Sequence, residues 1–340
     1  MSTRFRIKVA RFMWPTAPPG AVGSLPWPQP VYRAIFGKLV RDYWARATFG
    51  IVDLDFDLTW PAFVRLGDLD PALARDRGQA LSAIRRYAES ELDLHTDGYD
   101  GFVAMVNPPP CDAGALGKDA LLDQGGSLEF FQHEIGHVLG FDHVFPVYDD
   151  RYCVMGETWS WDHAIAPPPE AQGIPFLSPL MWRSGRRLSA ASLFRRFGRF
   201  GMPGNPLFAE PYVVDVGLGQ SVLLSAVSET TTPRPVVAIV PIVLGLGGLL
   251  TVEYRTATHD DVGLGQDAIV VHSIGHRNPG PGHREVKPVW REAALPIELG
   301  ASASVPGARI TVGRIRPPAL FGAPLPDGPS RVYVSVNRDV

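Results

Sequence analysis

The sequence has little cysteine, no long unbroken apolar run and almost no net charge, and each shortage removes a class of protein. Only Cys111 and Cys153 occur in 340 residues, so no disulfide framework can support the fold. The two thiols either pair in an oxidising compartment or are buried as small apolar residues, and the sequence favours neither. The most apolar stretch, residues 236–250, is too short to cross a bilayer and is broken by Pro241 and several glycines. It reads as two buried strands joined by a turn, and no membrane span is expected. A net charge of -3 leaves no footprint for nucleic acid or an anionic membrane. The arginines are scattered apart from residues 183–199, which read as a solvated helix face. Residues 1–15 alternate basic and apolar side chains without the apolar core of a secretory signal, and read as a first strand.

What is present is an ordinary globular composition, 45% hydrophobic and 20% charged, in a chain long enough for two domains. After the strand at 4–14 comes a proline-rich turn. Residues 31–48 then place Val31, Ile35, Leu39, Tyr43 and Trp44 at helical spacing. Residues 51–60 alternate strictly, with Val52, Leu54, Phe56 and Leu58 on one face and Asp53, Asp55 and Asp57 on the other. The three carboxylates read as the wet face of a strand; a calcium site is the alternative, and nothing else indicates it. Asp70-Pro71 reads as an N-cap followed by a first-turn proline, opening a helix to about residue 92. Residues 101–106 read as a buried strand and 114–122 as an exposed edge strand. Beyond Pro203 the texture changes to β-rich runs at 212–216, 222–226, 236–243, 249–254, 268–272, 309–312 and 331–336, separated by Gly, Pro and Asp turns. The fold class expected is α+β, with a first domain over 1–203 and an antiparallel β-sandwich over 204–340.

The segment that carries chemistry is His133-Glu134-Ile135-Gly136-His137-Val138-Leu139-Gly140-Phe141-Asp142-His143. Ser127 caps a helix there and Gly140 ends it. Residues four apart share a helix face, so His133 and His137 can aim imidazole nitrogens at one ion. A left-handed Gly140 reverses the chain and lets His143 return as a third ligand. Glu134 reaches a water on that ion without binding the metal. Three neutral imidazoles and a water make an open site, the arrangement of one catalytic zinc ion.

This pattern resembles the metzincin family of zinc peptidases at every defined position from His133 to His143. The methionine that the family carries in a tight turn is matched by Met155 in Tyr152-Cys153-Val154-Met155-Gly156. Looser likeness to gametolysin-like and immune-inhibitor-like bacterial peptidases rests on three stretches. These are Arg41-Asp42-Tyr43-Trp44, Asp97-Gly98-Tyr99-Asp100-Gly101-Phe102-Val103 and Leu250-Thr251-Val252-Glu253-Tyr254-Arg255. The resemblance implies a catalytic domain with a twisted mixed sheet and an active-site helix, acting as a zinc endopeptidase on a protein or peptide substrate. Glu134 would be the general base, and Met155 would support the histidines without binding zinc. Substrate would pair along the edge strand at Ala115 and Leu116, with Trp159 and Trp161 near the pocket.

The sequence also departs from parts of the family. Val144 follows His143 where several branches carry serine or aspartate, and no tyrosine stands two positions after Met155. Neither a propeptide nor a cysteine-switch motif is recognisable. The resemblance implies secretion, no Sec signal is recognised to support it, and a cytoplasmic location is the alternative expectation. Oligomeric state is not legible. Two other functions stay open: a narrow-specificity effector protease, and a glycan- or protein-binding protein with a vestigial zinc module. Of the remaining His95, His163, His259, His272, His276 and His283, the last four could suggest a second metal site, but their spacing matches no ligand pattern and scattered surface histidines are the preferred reading.

Overall fold

Strand β1 (Thr3–Met13) organises the first part of the chain through its neighbours β2 (Val52–Asp57), β3 (Val64–Arg65) and β4 (Gly101–Asn107). The structure is a computed structural model and describes residues 2–13, 27–58, 64–65, 76–107, 109–147, 149–156, 164–174, 182–199, 201–228, 234–241, 248–275, 277, 288–316, 319–320, 323–324 and 331–339. Adding β5 (Gly114–Leu116) and β6 (Asp119–Asp123) gives a sheet of order β2-β1-β4-β6-β5, with β3 pairing the far end of β1. Every pairing is parallel except β5 with β6. The single edge strand expected over 114–122 is therefore a hairpin. Gly117, at φ +63°, makes the turn between its arms, and only β5 lies at the edge.

The parallel register sets Arg4, Arg6 and Lys8 of β1 against Asp53, Asp55 and Asp57 of β2. Arg4 reaches Asp55 at 2.7 Å and Lys8 reaches Asp57 at 3.0 Å, so these carboxylates are matched by the neighbouring strand. Central β4 is buried at every residue. The helical run expected over 31–48 is built from α1 (Gln29–Ala34), a π-helical stretch (Ile35–Val40) and α2 (Arg41–Ala47). Helix α3 (Arg77–Glu91) begins after Asp76, whose carboxylate accepts the N–H of Gln79 at 2.8 Å. The expected start at Asp70-Pro71 lies outside the described residues. Leu81, Ile84 and Ala88 of α3 pack on Phe12, Phe102, Ala104 and Leu121 of the sheet. Helix α4 (Leu128–Val138) lies against β5, β6 and the π-helical stretch. A Cβ on Gly101 would come within 2.5 Å of Val138 and 2.7 Å of the Lys118 carbonyl, so the close approach of α4 and the hairpin to β4 requires glycine.

The chain divides into two compact units: Met1–Phe141 with Ala164–Gly185, and Asp142–His163 with Arg186–Val340. Residues 142–163 and 186–203, read from sequence as part of the first domain, belong to the second unit. That unit contains β7 (Val144–Phe145), α5 (Ala190–Phe197), β8 (Val213–Asp215), β9 (Gln220–Ser225), β10 (Val237–Pro241), β11 (Leu249–Arg255) and β12 (Ala268–Ile274). It continues with β13 (Val289–Pro296), β14 (Ser302–Val305), β15 (Ala308–Arg316), the short pair β16 (Ala319–Leu320) and β17 (Ala323–Pro324), and β18 (Arg331–Asn337). One sheet runs β7-β13-β12-β11-β10-β8 and another β14-β15-β18-β9. Leu224, Ile310 and Val334 from the second sheet share one apolar cluster with Val240, Val252 and Val271 from the first. The expected strand pair in 236–250 is present as β10 and β11, which are antiparallel neighbours. The arginine stretch at 183–199 differs from a solvated face: Arg186 and Arg187 are buried, and α5 spans only its second half. The whole is α+β. Among the described residues no helix is long and apolar enough to cross a membrane.

Candidate metal centre

Helix α4 is fixed at both ends before it presents any chemistry. Ser127 Oγ accepts the N–H of Phe130 at 3.1 Å, a cap that contributes about 1 kcal/mol. At the other end Gly140 takes φ +83°. Its N–H bonds the His137 carbonyl at 2.8 Å, while the N–H of Phe141 reaches back to the Gly136 carbonyl at 3.0 Å. This pair of bonds satisfies the orphan carbonyls and turns the chain sharply, and only a left-handed residue permits it. Phe141 then stacks on Trp44, with ring centroids 5.3 Å apart. The flank of α4 is tied down by Gln132, which bonds Ser184 at 3.1 Å and accepts the N–H of Gly185 at 2.6 Å.

The three expected ligands come together. One ring nitrogen from each of His133, His137 and His143 lies within 4.8 Å of the others. His133 and His137 face each other through their Nε2 atoms at 3.1 Å. Two imidazoles on one tetrahedral zinc, each at about 2.05 Å, would place those nitrogens about 3.3 Å apart, so the spacing fits. The tautomer fits as well. His137 Nδ1 lies 2.9 Å from the Phe141 carbonyl, which can only accept; the tautomer protonated at Nδ1 makes that bond and turns Nε2 to a metal. His133 is buried and the other two are partly exposed.

Glu134 is buried beside the first histidine, and its Oε2 accepts the backbone N–H of Ala115 at 2.6 Å. Burial pushes its carboxyl up to about 7, against the opposing pull of the Ala115 N–H and the Arg77 guanidinium. Ala115 and Leu116 lie on edge strand β5, and Leu116 is 56% exposed. Met155 is fully buried in the turn that follows β7, where its carbonyl accepts the N–H of Val144 at 3.0 Å. Trp159 and Trp161 lie outside the described residues.

Sequence reading missed the groups that hold these parts. Arg77 binds the carbonyls of Asp112 (3.0 Å), Ala113 (3.1 Å) and Ala115 (3.1 Å), bracing the approach to β5. Nothing local marks Arg77, because the carbonyls it binds lie 35 or more residues along the chain. Arg195 pairs with Asp142, the residue before His143. His272 corrects the surface reading: it is fully buried, with Nε2 on Asp150 at 3.0 Å. His163, His276 and His283 lie outside the described residues. Neither cysteine is in a disulfide. Compared with known proteins, the chain matches no family model, and no curated protein matches its sequence.

Proposed function

We propose that the chain is a zinc-dependent endopeptidase of the metzincin type, with the metal held by His133, His137 and His143. The observation that carries this reading is the convergence of the three imidazoles, with His137 Nδ1 at hydrogen-bond distance from the Phe141 carbonyl. In the same reading the paired sheets of the second unit form a β-sandwich. The chemistry that zinc supplies to such a site is polarisation of the scissile carbonyl and a lowered pKa for a bound water.

The chain's own groups do the rest. Glu134, next in sequence to the first ligand, takes the water proton and later delivers it to the departing amine. Strand β5 lies at the sheet edge, where an extended peptide would pair beside Glu134 and so fix the scissile bond relative to it. Ala115 is the contact between the two, because its N–H already meets the Glu134 carboxylate. Met155 packs in support and carries no proton. The test is casein hydrolysis by the wild type, with and without a chelator, beside Glu134→Gln. Chelator-sensitive activity that falls by at least about a thousandfold in Glu134→Gln supports the reading. Equal activity in both proteins ends it.

A further inference from the structure

Strand β11 alternates strictly. Leu250, Val252 and Tyr254 enter the cluster shared by the two sheets, so Thr251, Glu253 and Arg255 stand on the opposite face. A sheet face of that composition ordinarily meets water. Here it is closed, because Thr251, Glu253 and Arg255, and His272 on neighbouring β12, are all fully buried. Arg255 forks onto Asp261 at 2.8 and 2.6 Å. His272 is bracketed, with Nε2 on Asp150 at 3.0 Å and Nδ1 3.6 Å from Glu253 Oε1.

Two pieces of chain form the cover. Helix α5 is tied on by Glu253 Oε2, which accepts the N–H of Ala190 at 2.7 Å. The other piece is residues 142–156, which carry His143 and Met155. It is held at several points: Asp142 by Arg195, Val144 and Phe145 by pairing with β13, the Asp149 carbonyl by Arg291 at 2.6 Å, and Asp150 by His272. The N–H of Ser189, the cap residue of α5, also reaches Cys153 Sγ at 3.3 Å. Among the described residues of 142–156 only the two of β7 are regular structure, so the shape of the segment comes from these anchors.

We infer that the β7-β13-β12-β11 side of this sheet is a built-in scaffold for the third metal ligand, with Arg195 and His272 as positioning residues acting through Asp142 and Asp150. The inference rests on reading His143 as a ligand. An unanchored segment would have to be ordered when the ion binds; an anchored one presents its imidazole in place, and that difference is read as metal affinity. On this account the polar face of β11 and β12 anchors residues 142–156, the segment that carries His143.

The experiment uses the full chain and two readouts: zinc affinity by competition with a chromophoric chelator, and the melting midpoint of the metal-free protein. Arg195→Met is expected to weaken zinc binding by about 10–100-fold, the usual effect of removing a partner behind a ligand, and Arg195→Lys to recover most of it. The metal-free melting midpoint should barely move in either. His272→Gln should weaken zinc in the same way; because His272 is a core residue, the Arg195 pair decides if that variant does not fold. A fold-only role predicts the reverse: a lower metal-free midpoint with zinc affinity within about twofold of wild type, which overturns the proposal. His133→Ala separates the two levels. If the wild type binds zinc no better than His133→Ala, the metal assignment itself fails, whatever the Arg195 variants do.

Discussion

The Glu134 carboxylate accepts the backbone N–H of Ala115 at 2.6 Å, and the carbonyl of the same alanine accepts Arg77 Nη1 at 3.1 Å. The N–H and C=O of one residue in an antiparallel ladder point the same way, so Ala115 turns both groups from β6 towards the free edge. The one residue best placed to pair with an extended peptide is thus already bonded on both sides by side chains of its own chain. Arg77 also holds the carbonyls of Asp112 and Ala113, which makes it the brace of the strand as well as the occupant of its edge.

Arg77→Met distinguishes those two parts. If bracing dominates, losing three carbonyl contacts loosens residues 112–115 and raises KM for a casein-derived peptide roughly tenfold, about 1.4 kcal/mol, with zinc content unchanged. Steady-state kinetics beside metal analysis decides it. A KM that falls shows that Arg77 competes with substrate for Ala115.

His143→Ala tests the third ligand. The other two imidazoles stay on α4, where Ser127 and Gly140 fix the helix independently. Metal analysis after dialysis against micromolar zinc should therefore show a fall from one ion per chain to well below one, with the helical circular-dichroism signal retained. Stoichiometry equal to wild type removes His143 from the site.

The histidine cluster was legible because it is local. Helix spacing, a cap and one glycine place His133, Glu134, His137 and Gly140 within a dozen residues, and each of those signals acts through its immediate neighbours. The β-rich half was legible where strands alternate cleanly, as in β11 and β18. It was missed at β13, whose sequence mixes small and charged residues, and at β14, a four-residue run of Ser, Ala and Val too short to mark a strand. Alternation could not show that His272, Glu253 and Arg255 are buried. It gives the two faces of a strand, and it cannot say that the polar face will be covered by α5 and residues 142–156 from elsewhere in the chain. Arg77 and Arg195 were illegible for the same reason, since their partners lie 35 or more residues away. The unit boundaries at 141/142 and 185/186 follow these long-range contacts, and nothing in local texture marks them.

The two thiols should behave differently. Cys153 is fully buried, and burial pushes its thiol up to about 11, with Asp150 adding to the effect. At pH 8 only about one part in a thousand is thiolate. Cys111 is partly exposed near the start of β5. Titration of the native protein with a thiol-reactive chromophore should count one group per chain, rising to two in denaturant. Two fast groups in the native state contradict the burial of Cys153, and none in denaturant without reductant reveals a disulfide.

Arg255→Met probes the buried charges directly. Arg255 has no exposed surface, forks onto Asp261, and lies 3.6 Å from Glu253 Oε1. Methionine would fill much of the volume while leaving Asp261 and Glu253 without their cation. Removing one member of such a pair strands a charge in a low-dielectric interior, at a cost of about 3–5 kcal/mol. Asp261 also accepts the N–H of Arg187 at 3.1 Å, so part of its compensation survives and the lower end of that range is expected. Urea denaturation of the metal-free chain should show the midpoint shift. The double variant Arg255→Met with Asp261→Leu should recover part of the loss, because the stranded carboxylate is gone. A double variant less stable than Arg255→Met alone would mean that Asp261 holds the fold through Arg187 more than through Arg255.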